Sequence, residues 1–275
     1  MPIPECDREY PLRVTSDLVP GADHTADGAV EDVVPLSPPA RKMGLTYALG
    51  RGILTPLARI VYRPRIEGKA HVPKSGPIIF ASNHLSFIDS IAIPVAAPRP
   101  VHFLAKASYF EKPASRWFFT SIGAIAVQRG AGQAALDALD QQRALLDEGK
   151  AVALYPEGTR SLDGRLYKGR TGVAFLALQS GARVVPVGLI GTDKVMPVGA
   201  KTPSLQHRIT VRFGEPLDLS HHGPASSGKA RRLATDEIMA AIHALSGQEL
   251  ANAYNEAPAQ GPIDRIKQAL PHERR

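Results

Sequence analysis

The chain has 275 residues, of which 44% are hydrophobic, enough to bury one substantial core or two modest ones. Its formal net charge of +7 favours an anionic partner, which could be a nucleic acid, an anionic membrane surface or an anionic substrate. The single cysteine, Cys6, excludes an intrachain disulfide and a cluster of thiolate metal ligands, and is typical of a reducing compartment.

The N-terminal stretch 1–42 is rich in Asp, Pro, Gly and Ala without steady periodicity, which predicts a disordered or loosely docked extension. Its beginning lacks the basic start and apolar centre of a signal peptide. No run of about 18 uninterrupted apolar residues occurs in the chain, so no membrane-spanning helix is predicted and any membrane contact would be peripheral.

In the stretch 43–65, apolar residues recur at helical spacing and arginines fall on the other side of the helical wheel. The apolar positions are Leu49, Ile53, Leu57, Ile60 and Val61, and the basic ones are Arg51, Arg59 and Arg63. Thr55 and Pro56 are typical of an N-cap and a first-turn proline, which predicts two short amphipathic helices. These helices either pack on the core or lie on a membrane with their arginines facing lipid headgroups.

From residue 66 to residue 250, strand-like and helix-like segments alternate, which predicts one α/β domain with a largely buried sheet flanked by helices. Short apolar runs predict strands at 76–83, 101–105, 124–129, 151–156, 182–190 and 207–214. Helical patterns occupy 86–95, 132–146, 169–180 and 225–245. The basic stretch 251–275 is predicted to be a peripheral tail.

The segment ASNHLSFIDSIAIP, residues 81–94, places a histidine and an aspartate at the end of an apolar strand. His84 follows the strand, and Asp89 falls near the first turn of the next helix. A carboxylate that holds one imidazole nitrogen leaves the other free to take a proton from a hydroxyl. Taken alone, however, the pair fits a buried structural contact better than an active site.

A second apolar strand, in AVALYPEGTRS at 151–161, runs directly into a polar turn. Gly158 allows a tight turn or the close approach of a ligand, and Arg160 offers a planar fork of donors suited to phosphate. Thr159 adds a hydroxyl group. Glu157 could accept from a substrate hydroxyl or hold Arg160 in place, and a purely structural Glu-Arg pair is the alternative.

Basic residues end two further predicted strands, Lys106 after VHFLA and Arg129 after GAIAVQ. Ligands of α/β proteins bind at the carboxyl ends of strands. The placement of Lys106, Arg129 and Arg160 therefore predicts a convergent anion site.

Motifs of several other protein classes do not occur in the chain. There is no Gly-rich loop of the P-loop or dinucleotide type, and no Gly-x-Ser-x-Gly elbow of a serine hydrolase. The histidines lack metal-ligand spacing, and His221 and His222 are expected to be exposed in a loop, so no metal site is predicted. The basic residues lack the interleaved aromatics of a nucleic-acid-binding protein.

Four sequence blocks, in order, resemble the glycerolipid acyltransferases, and among them the 1-acylglycerol-3-phosphate acyltransferases. They are Asn83-His84-x4-Asp89, Gly123 to Arg129, Tyr155 to Arg160, and Val185-Pro186-Val187. The resemblance covers residues 45–215 and implies a mixed sheet flanked by helices, often with N-terminal helices that contact membrane. Val127 departs from the pattern, since an aromatic or bulky residue is usual two places before Arg129.

The resemblance implies that His84 is the general base that deprotonates an acceptor hydroxyl and that Asp89 orients it. It implies acceptor-binding roles for residues of the second and third blocks: Arg129, Glu157, Gly158, Thr159 and Arg160. The arginines would contact the acceptor phosphate, and Lys106 is a secondary candidate for the same role.

The implied function is transfer of an acyl group from acyl-CoA or acyl carrier protein to lysophosphatidic acid, giving phosphatidic acid for phospholipid biosynthesis. The enzyme would lie on the cytoplasmic face of an anionic membrane and would need no metal or redox cofactor. The alternatives are acylation of another lysolipid or lipid-linked acceptor, and a non-catalytic lipid carrier with the same fold. A carrier needs no base, so His84 and Asp89 argue against it.

Overall fold

The computed structural model describes residues 45–127 and 133–255, and within them helices cover both faces of a central seven-stranded sheet. The strands of this sheet are β1 (Arg65–Glu67), β2 (Ile78–Ser82), β3 (His102–Lys106), β4 (Ala124–Val127), β5 (Ala151–Leu154), β7 (Arg183–Ile190) and β8 (Thr210–Phe213). A small second sheet pairs β6 (Leu166–Lys168) with β9 (Leu250–Tyr254). The helices are α1 (Leu45–Tyr62), α2 (Asp89–Ala96), α3 (Pro113–Ser121), α4 (Gln133–Asp147), α5 (Gly172–Ser180), α6 (Thr192–Val195) and α7 (Gly228–Ser246). Short 3₁₀ turns occupy Lys69–His71, Ala107–Phe110 and Ser220–His222.

The central sheet is mixed, with strand order β1-β8-β7-β2-β5-β3-β4. Only the β7–β8 pair is antiparallel among the described strand pairs of this sheet. The mixed sheet flanked by helices confirms the predicted fold class. Because β2, β3, β4, β5 and β7 run in the same direction, their carboxyl ends lie along one edge of the sheet.

Strand β2 separates two apolar cores, because alternate side chains of a strand point to opposite faces. Phe80 faces one core together with Ile93 of α2, and Ile79 faces the other together with Ile238 of α7. All five residues of β2 are buried, as expected for a central strand that is covered on both faces. The sequence run PIIFAS therefore fixes the rigid element from which His84 projects.

The prediction of two short helices in 43–65 is wrong, since α1 is one continuous helix with Pro56 inside it. A proline in a helix removes one backbone hydrogen bond but does not end the helix where tertiary contacts hold the flanking turns. Here a Cβ added at Gly50 would lie only 2.6 Å from Cβ of Ser121, so α1 and α3 pack closely. Arg59, which would face lipid headgroups in the membrane alternative, donates to the carbonyl oxygen of Val95 at 2.7 Å.

The other predicted elements overlap the observed ones, with differences at their ends. The predicted tail from residue 251 begins inside β9, whose residues pair in parallel with β6. Within the described residues, no helix combines the length and the apolar content needed to cross a bilayer. Five elements, β1, β6, β9, α3 and α6, had no counterpart in the sequence prediction.

Candidate active site

The site lies at the sheet edge where β2 and β5 end side by side. These two strands pair in parallel, with Ala81 opposite Leu154. A candidate site residue follows each strand: His84 is two residues after the end of β2, and Glu157 is three residues after the end of β5. The parallel register therefore brings together residues that are 73 positions apart in the sequence.

His84 and Asp89 are in direct contact, as the sequence predicted. Nδ1 of His84 lies 2.8 Å from Oδ2 of Asp89, the first residue of α2. An ionised carboxylate only accepts, so Nδ1 carries the hydrogen and Nε2 keeps its lone pair. Nε2 has no hydrogen-bond partner among the described residues, and 13% of the His84 side chain is exposed.

Asp89 is held by the backbone that precedes it. The amide groups of Leu85 and Ser86 donate to Oδ2 at 2.7 and 2.8 Å, the same oxygen that accepts from His84. The carboxylate is fully buried, and burying it requires such donors in compensation. The loop between His84 and α2 thus fixes the carboxylate, and the carboxylate fixes the imidazole.

Tyr155 lies against the His84 ring and limits its rotation. The two rings are stacked, with centroids 3.8 Å apart and planes inclined by 10°. The Tyr155 hydroxyl forms a 3.1 Å hydrogen bond with Oγ of Ser90 in α2. Burial raises the pKa of Tyr155, and the nearby Asp89 raises it further, so the phenol stays neutral beside His84. This contact between Tyr155 and His84 was not predicted from the sequence.

Glu157 is fully buried below the site, and its two oxygens accept from two backbone segments. Oε1 accepts from the amide of His84 at 2.9 Å, and Oε2 accepts from the amide of Tyr167 in β6 at 3.0 Å. Burial raises its pKa from 4.5 to about 7, although both amide donors oppose this shift. These bonds position the backbone of His84, and the predicted contact with the acceptor stays a prediction.

Asn83 extends the pairing of β2 with β7 through its side chain. Its amide donates to the carbonyl oxygen of Leu189 and accepts from the amide of the same residue, at 2.9 and 2.8 Å. It also donates to Oε1 of Gln248, just beyond α7, at 2.7 Å. A side-chain amide can satisfy both backbone groups of one residue, so Asn83 holds the end of β2 in register.

The turn after β5 presents the remaining residues of the third block. Gly158 has a φ of 79°, a left-handed conformation that favours glycine, and its amide donates to the carbonyl oxygen of Tyr155. The side-chain amide of Asn255 donates to the carbonyl oxygens of Thr159 and Arg160 at 3.4 and 3.2 Å. The Arg160 guanidinium, half-buried, has no hydrogen-bond or ion-pair partner among the described residues. It is therefore available to a ligand.

Of the two other predicted cations, the described residues include Lys106 but not Arg129. Lys106 is exposed at the carboxyl end of β3, along the same sheet edge as His84 and Glu157. Arg129 lies outside the described residues. Of the three cations in the predicted anion site, the described residues therefore include Lys106 at the end of β3 and Arg160 in the turn after β5, and their binding of an anion stays a prediction.

Comparison with known proteins places this geometry in a family context. Residues 63–190 match the family model described as Acyltransferase. The chain is 35% identical over 157 residues to a chloroplast 1-acyl-sn-glycerol-3-phosphate acyltransferase of Arabidopsis thaliana, an alignment that covers 57% of this chain and 44% of the relative. It is 31% identical over 193 residues to the 1-acyl-sn-glycerol-3-phosphate acyltransferase of Chlamydomonas reinhardtii, with 64% and 58% covered. The chain spans about half the length of these curated relatives.

A solved structure shares the fold. The crystal structure of the 1-acyl-sn-glycerophosphate (LPA) acyltransferase PlsC from Thermotoga maritima superposes with a TM-score of 0.55 at 23% sequence identity. The superposition covers 72% of this chain and 79% of that one. At this identity, the likeness supports the layered α/β architecture alone.

The pKa of Glu157 predicts how a Glu157→Gln variant responds to pH. The pKa of Glu157 is higher in the folded protein than in the unfolded chain, so the protonated carboxyl group stabilises the folded state. This contribution to the free energy of unfolding is complete below about pH 4.5 and is lost as the pH rises to about 7. Glutamine does not titrate, so its contribution does not change with pH. It has one acceptor oxygen for the two amides, and the unsatisfied amide lowers the free energy of unfolding by about 1–3 kcal/mol. In urea denaturation we expect the variant to be less stable at pH 5, and the deficit to shrink by about 2–3 kcal/mol at pH 8.

The matched control for this measurement is Glu249→Gln, which changes an exposed carboxylate on a loop. Its stability relative to the parent protein should differ little between the two pH values. An equal deficit for Glu157→Gln at pH 5 and pH 8 would contradict the raised pKa.

Proposed function

We propose that the protein transfers a fatty acyl group from a thioester to 1-acylglycerol-3-phosphate, giving phosphatidic acid. The match of residues 63–190 to the Acyltransferase family model supports this proposal. The observation that carries the proposal is the 2.8 Å hydrogen bond between His84 Nδ1 and Asp89 Oδ2 at the carboxyl edge of the sheet. It leaves Nε2 as a base with a fixed direction. A lipid carrier without catalysis would not need such a base, so the geometry favours an enzyme.

The chemical step is a direct attack by the acceptor oxygen on the thioester. His84 Nε2 removes the proton from the acceptor hydroxyl while that oxygen bonds to the carbonyl carbon. The tetrahedral intermediate then collapses, the carbon–sulfur bond breaks, and the thiolate leaves and takes the proton from the imidazolium. Asp89 stabilises the imidazolium that forms between these two steps. The reaction needs no metal or redox cofactor.

The two substrates occupy different parts of the site in this proposal. The acceptor phosphate binds the cations at the sheet edge, with Arg160 as the main donor and Lys106 and Arg129 as further ones. Gly158 and Thr159 line the turn that presents Arg160, and Glu157 keeps this turn and His84 in one arrangement. The donor is acyl-CoA or acyl carrier protein, and both carry the same thioester.

We also propose that α1 rests on the cytoplasmic face of an anionic membrane, where the lipid acceptor resides. Three apolar side chains of α1, Ile53, Leu57 and Ile60, are 66, 54 and 69% exposed, which argues against burial of this face in the core. Beside them, α1, α2 and α3 enclose an apolar cavity of about 290 Å³. This cavity offers an apolar environment for an acyl chain next to the helix that begins at Asp89.

Acyl transfer is tested with purified protein, labelled acyl-CoA and acyl carrier protein in parallel, and a panel of lysolipids. We expect phosphatidic acid from lysophosphatidic acid, and a loss of about 10²- to 10⁴-fold in kcat for His84→Ala, because general-base catalysis contributes that much. The control is His207→Ala, which changes an exposed loop histidine. Unchanged turnover in His84→Ala would overturn the mechanism, and acylation of only another lysolipid would overturn the acceptor.

The phosphate contact of Arg160 is tested by comparing lysophosphatidic acid with the matching monoacylglycerol. Losing a charge-assisted hydrogen bond costs about 1.5–3 kcal/mol, so Arg160→Ala should raise the KM for lysophosphatidic acid about 10- to 100-fold and leave monoacylglycerol unaffected. Arg183→Ala removes an exposed arginine at the opposite sheet edge and serves as the control. An equal loss with both acceptors would show that Arg160 does not bind the phosphate.

Membrane binding by α1 is tested with vesicles of anionic phospholipid. Replacing Ile53, Leu57 and Ile60 by serine should weaken binding at least about tenfold, because inserted apolar area drives interfacial binding. The matched control replaces three exposed apolar residues elsewhere, Leu136, Leu205 and Leu233, by serine. If both triple variants bind as tightly as the parent protein, α1 is not the membrane contact.

A further inference from the structure

A second cluster of titratable side chains lies at the opposite edge of the central sheet from His84. Val184, near the start of β7, exchanges backbone hydrogen bonds with Leu217, and the chain then enters the 3₁₀ turn Ser220–His222. His221 and His222 of this turn face Glu237 in the middle of α7. The turn therefore lies by the amino ends of the parallel strands, whereas His84 follows a carboxyl end.

Three side-chain atoms of this cluster converge on one point. Oε2 of Glu237 is 2.6 Å from Nε2 of His222 and 3.3 Å from Nε2 of His221. All three ligand atoms lie within 4.8 Å of one another. The two imidazole rings have centroids 4.0 Å apart and are inclined by 40°, so both present the same nitrogen to the carboxylate.

The His221 tautomer is already the one that a metal requires. Its Nδ1 lies 2.9 Å from the carbonyl oxygen of Asp218, so Nδ1 carries the hydrogen and donates it. The lone pair of His221 is then on Nε2, the nitrogen that faces Glu237. Histidines that bind metals usually donate their other N–H to a carbonyl or carboxylate in this way.

Both halves of the cluster are anchored in the core, which keeps the ligand atoms in place without a metal. Leu219, next to the turn, is 3% exposed and belongs to the core on the α7 face. The amide of His222 donates to the carbonyl oxygen of Leu219. On the other side, Ile238 is fully buried beside Glu237 and fixes the rotation of α7 at that point.

We propose that His221, His222 and Glu237 bind a divalent transition metal, with Zn²⁺ as the best fit. Imidazole nitrogen and carboxylate oxygen are zinc ligands, whereas Mg²⁺ and Ca²⁺ prefer oxygen alone. Tetrahedral zinc with bonds of about 2.0 Å keeps its ligand atoms about 3.3 Å apart, the distance seen between His221 and Glu237. On metal binding, Nε2 of His222 gives up the hydrogen that it donates to Glu237, and the neutral ring carries its hydrogen on Nδ1 instead. The His222–Glu237 contact then opens by less than about 1 Å to match, and water fills the fourth position.

The metal has a structural role in this proposal, because the site is remote from His84 and Asp89. It joins the loop after β8 to α7, two segments that are 15 residues apart at His222 and Glu237. The sequence alone did not predict the site, because adjacent histidines lack the usual ligand spacing and the third ligand comes from the following helix. The proposal is independent of acyl transfer.

The test is isothermal titration calorimetry of Zn²⁺ into the full, untagged chain after treatment with a chelator. We expect one Zn²⁺ to bind per chain, with affinity reduced at least about tenfold in His221→Ala, His222→Ala and Glu237→Gln. Zn²⁺ should also raise the Tm of the parent protein and not that of the three variants. The controls, His207→Ala and Glu249→Gln, change exposed residues elsewhere and should bind Zn²⁺ normally.

His221→Ala is the variant least able to disturb folding, since its side chain is 59% exposed, and circular dichroism checks each variant. Titration with Co²⁺ in place of Zn²⁺ provides a second measurement. The visible absorption of bound Co²⁺ reports whether the metal has a low coordination number with nitrogen and oxygen ligands. No Zn²⁺ binding to the parent protein would overturn the proposal. Binding that is equally tight in His221→Ala and Glu237→Gln would overturn it too, because the metal would then bind elsewhere, for example at Cys6 or His24.

Discussion

The arrangement of the sheet edge at His84 depends on two hydrogen bonds that the buried Glu157 side chain accepts. The carboxylate accepts from the amides of His84 and Tyr167, and so joins the ends of β2, β5 and β6. Burial disfavours its charge, and the two amide donors offset only part of that cost. The buried Glu157 therefore costs free energy, and it fixes the backbone from which His84 projects.

The charges of the site form two layers with opposite signs. Asp89 and Glu157 are buried beneath His84, and Lys106 and Arg160 lie nearer to solvent at the same edge. A carboxylate in contact with an imidazole favours the protonated ring, as Asp89 would for His84, and exposed cations suit an anionic ligand. An anion bound to Lys106 and Arg160 would not contact the buried Asp89 and Glu157 directly. In the proposed function, this separation would let one small site hold both a general base and a phosphate-binding region.

Sequence reasoning succeeded where the chemistry is local or follows from strand direction. His84 and Asp89 are five residues apart across one strand-to-helix corner, so their contact follows from local structure. It did not predict the bonds of Asn83 to Gln248, or of Asn255 to the Thr159 turn, because these partners come from the distant C-terminal part of the chain. It also divided α1 at Pro56, because the tertiary contact with α3 that holds the helix together leaves no local pattern.

Helix α7 runs between the sheet edge at His84 and the opposite edge at His222. The contacts at both edges therefore depend on the close packing of α7 against β7. At Gly188 of β7, an added Cβ would lie 2.7 Å from the carbonyl carbon of Leu245, so helix and strand touch with no room for a side chain. Just beyond the helix, Gln248 accepts a hydrogen bond from Asn83, which is next to His84. In the middle of the helix, Glu237 contacts His222 at the opposite edge. A shift of α7 along β7 would disturb both contacts together, and the missing side chain at Gly188 is what permits the close fit that resists it.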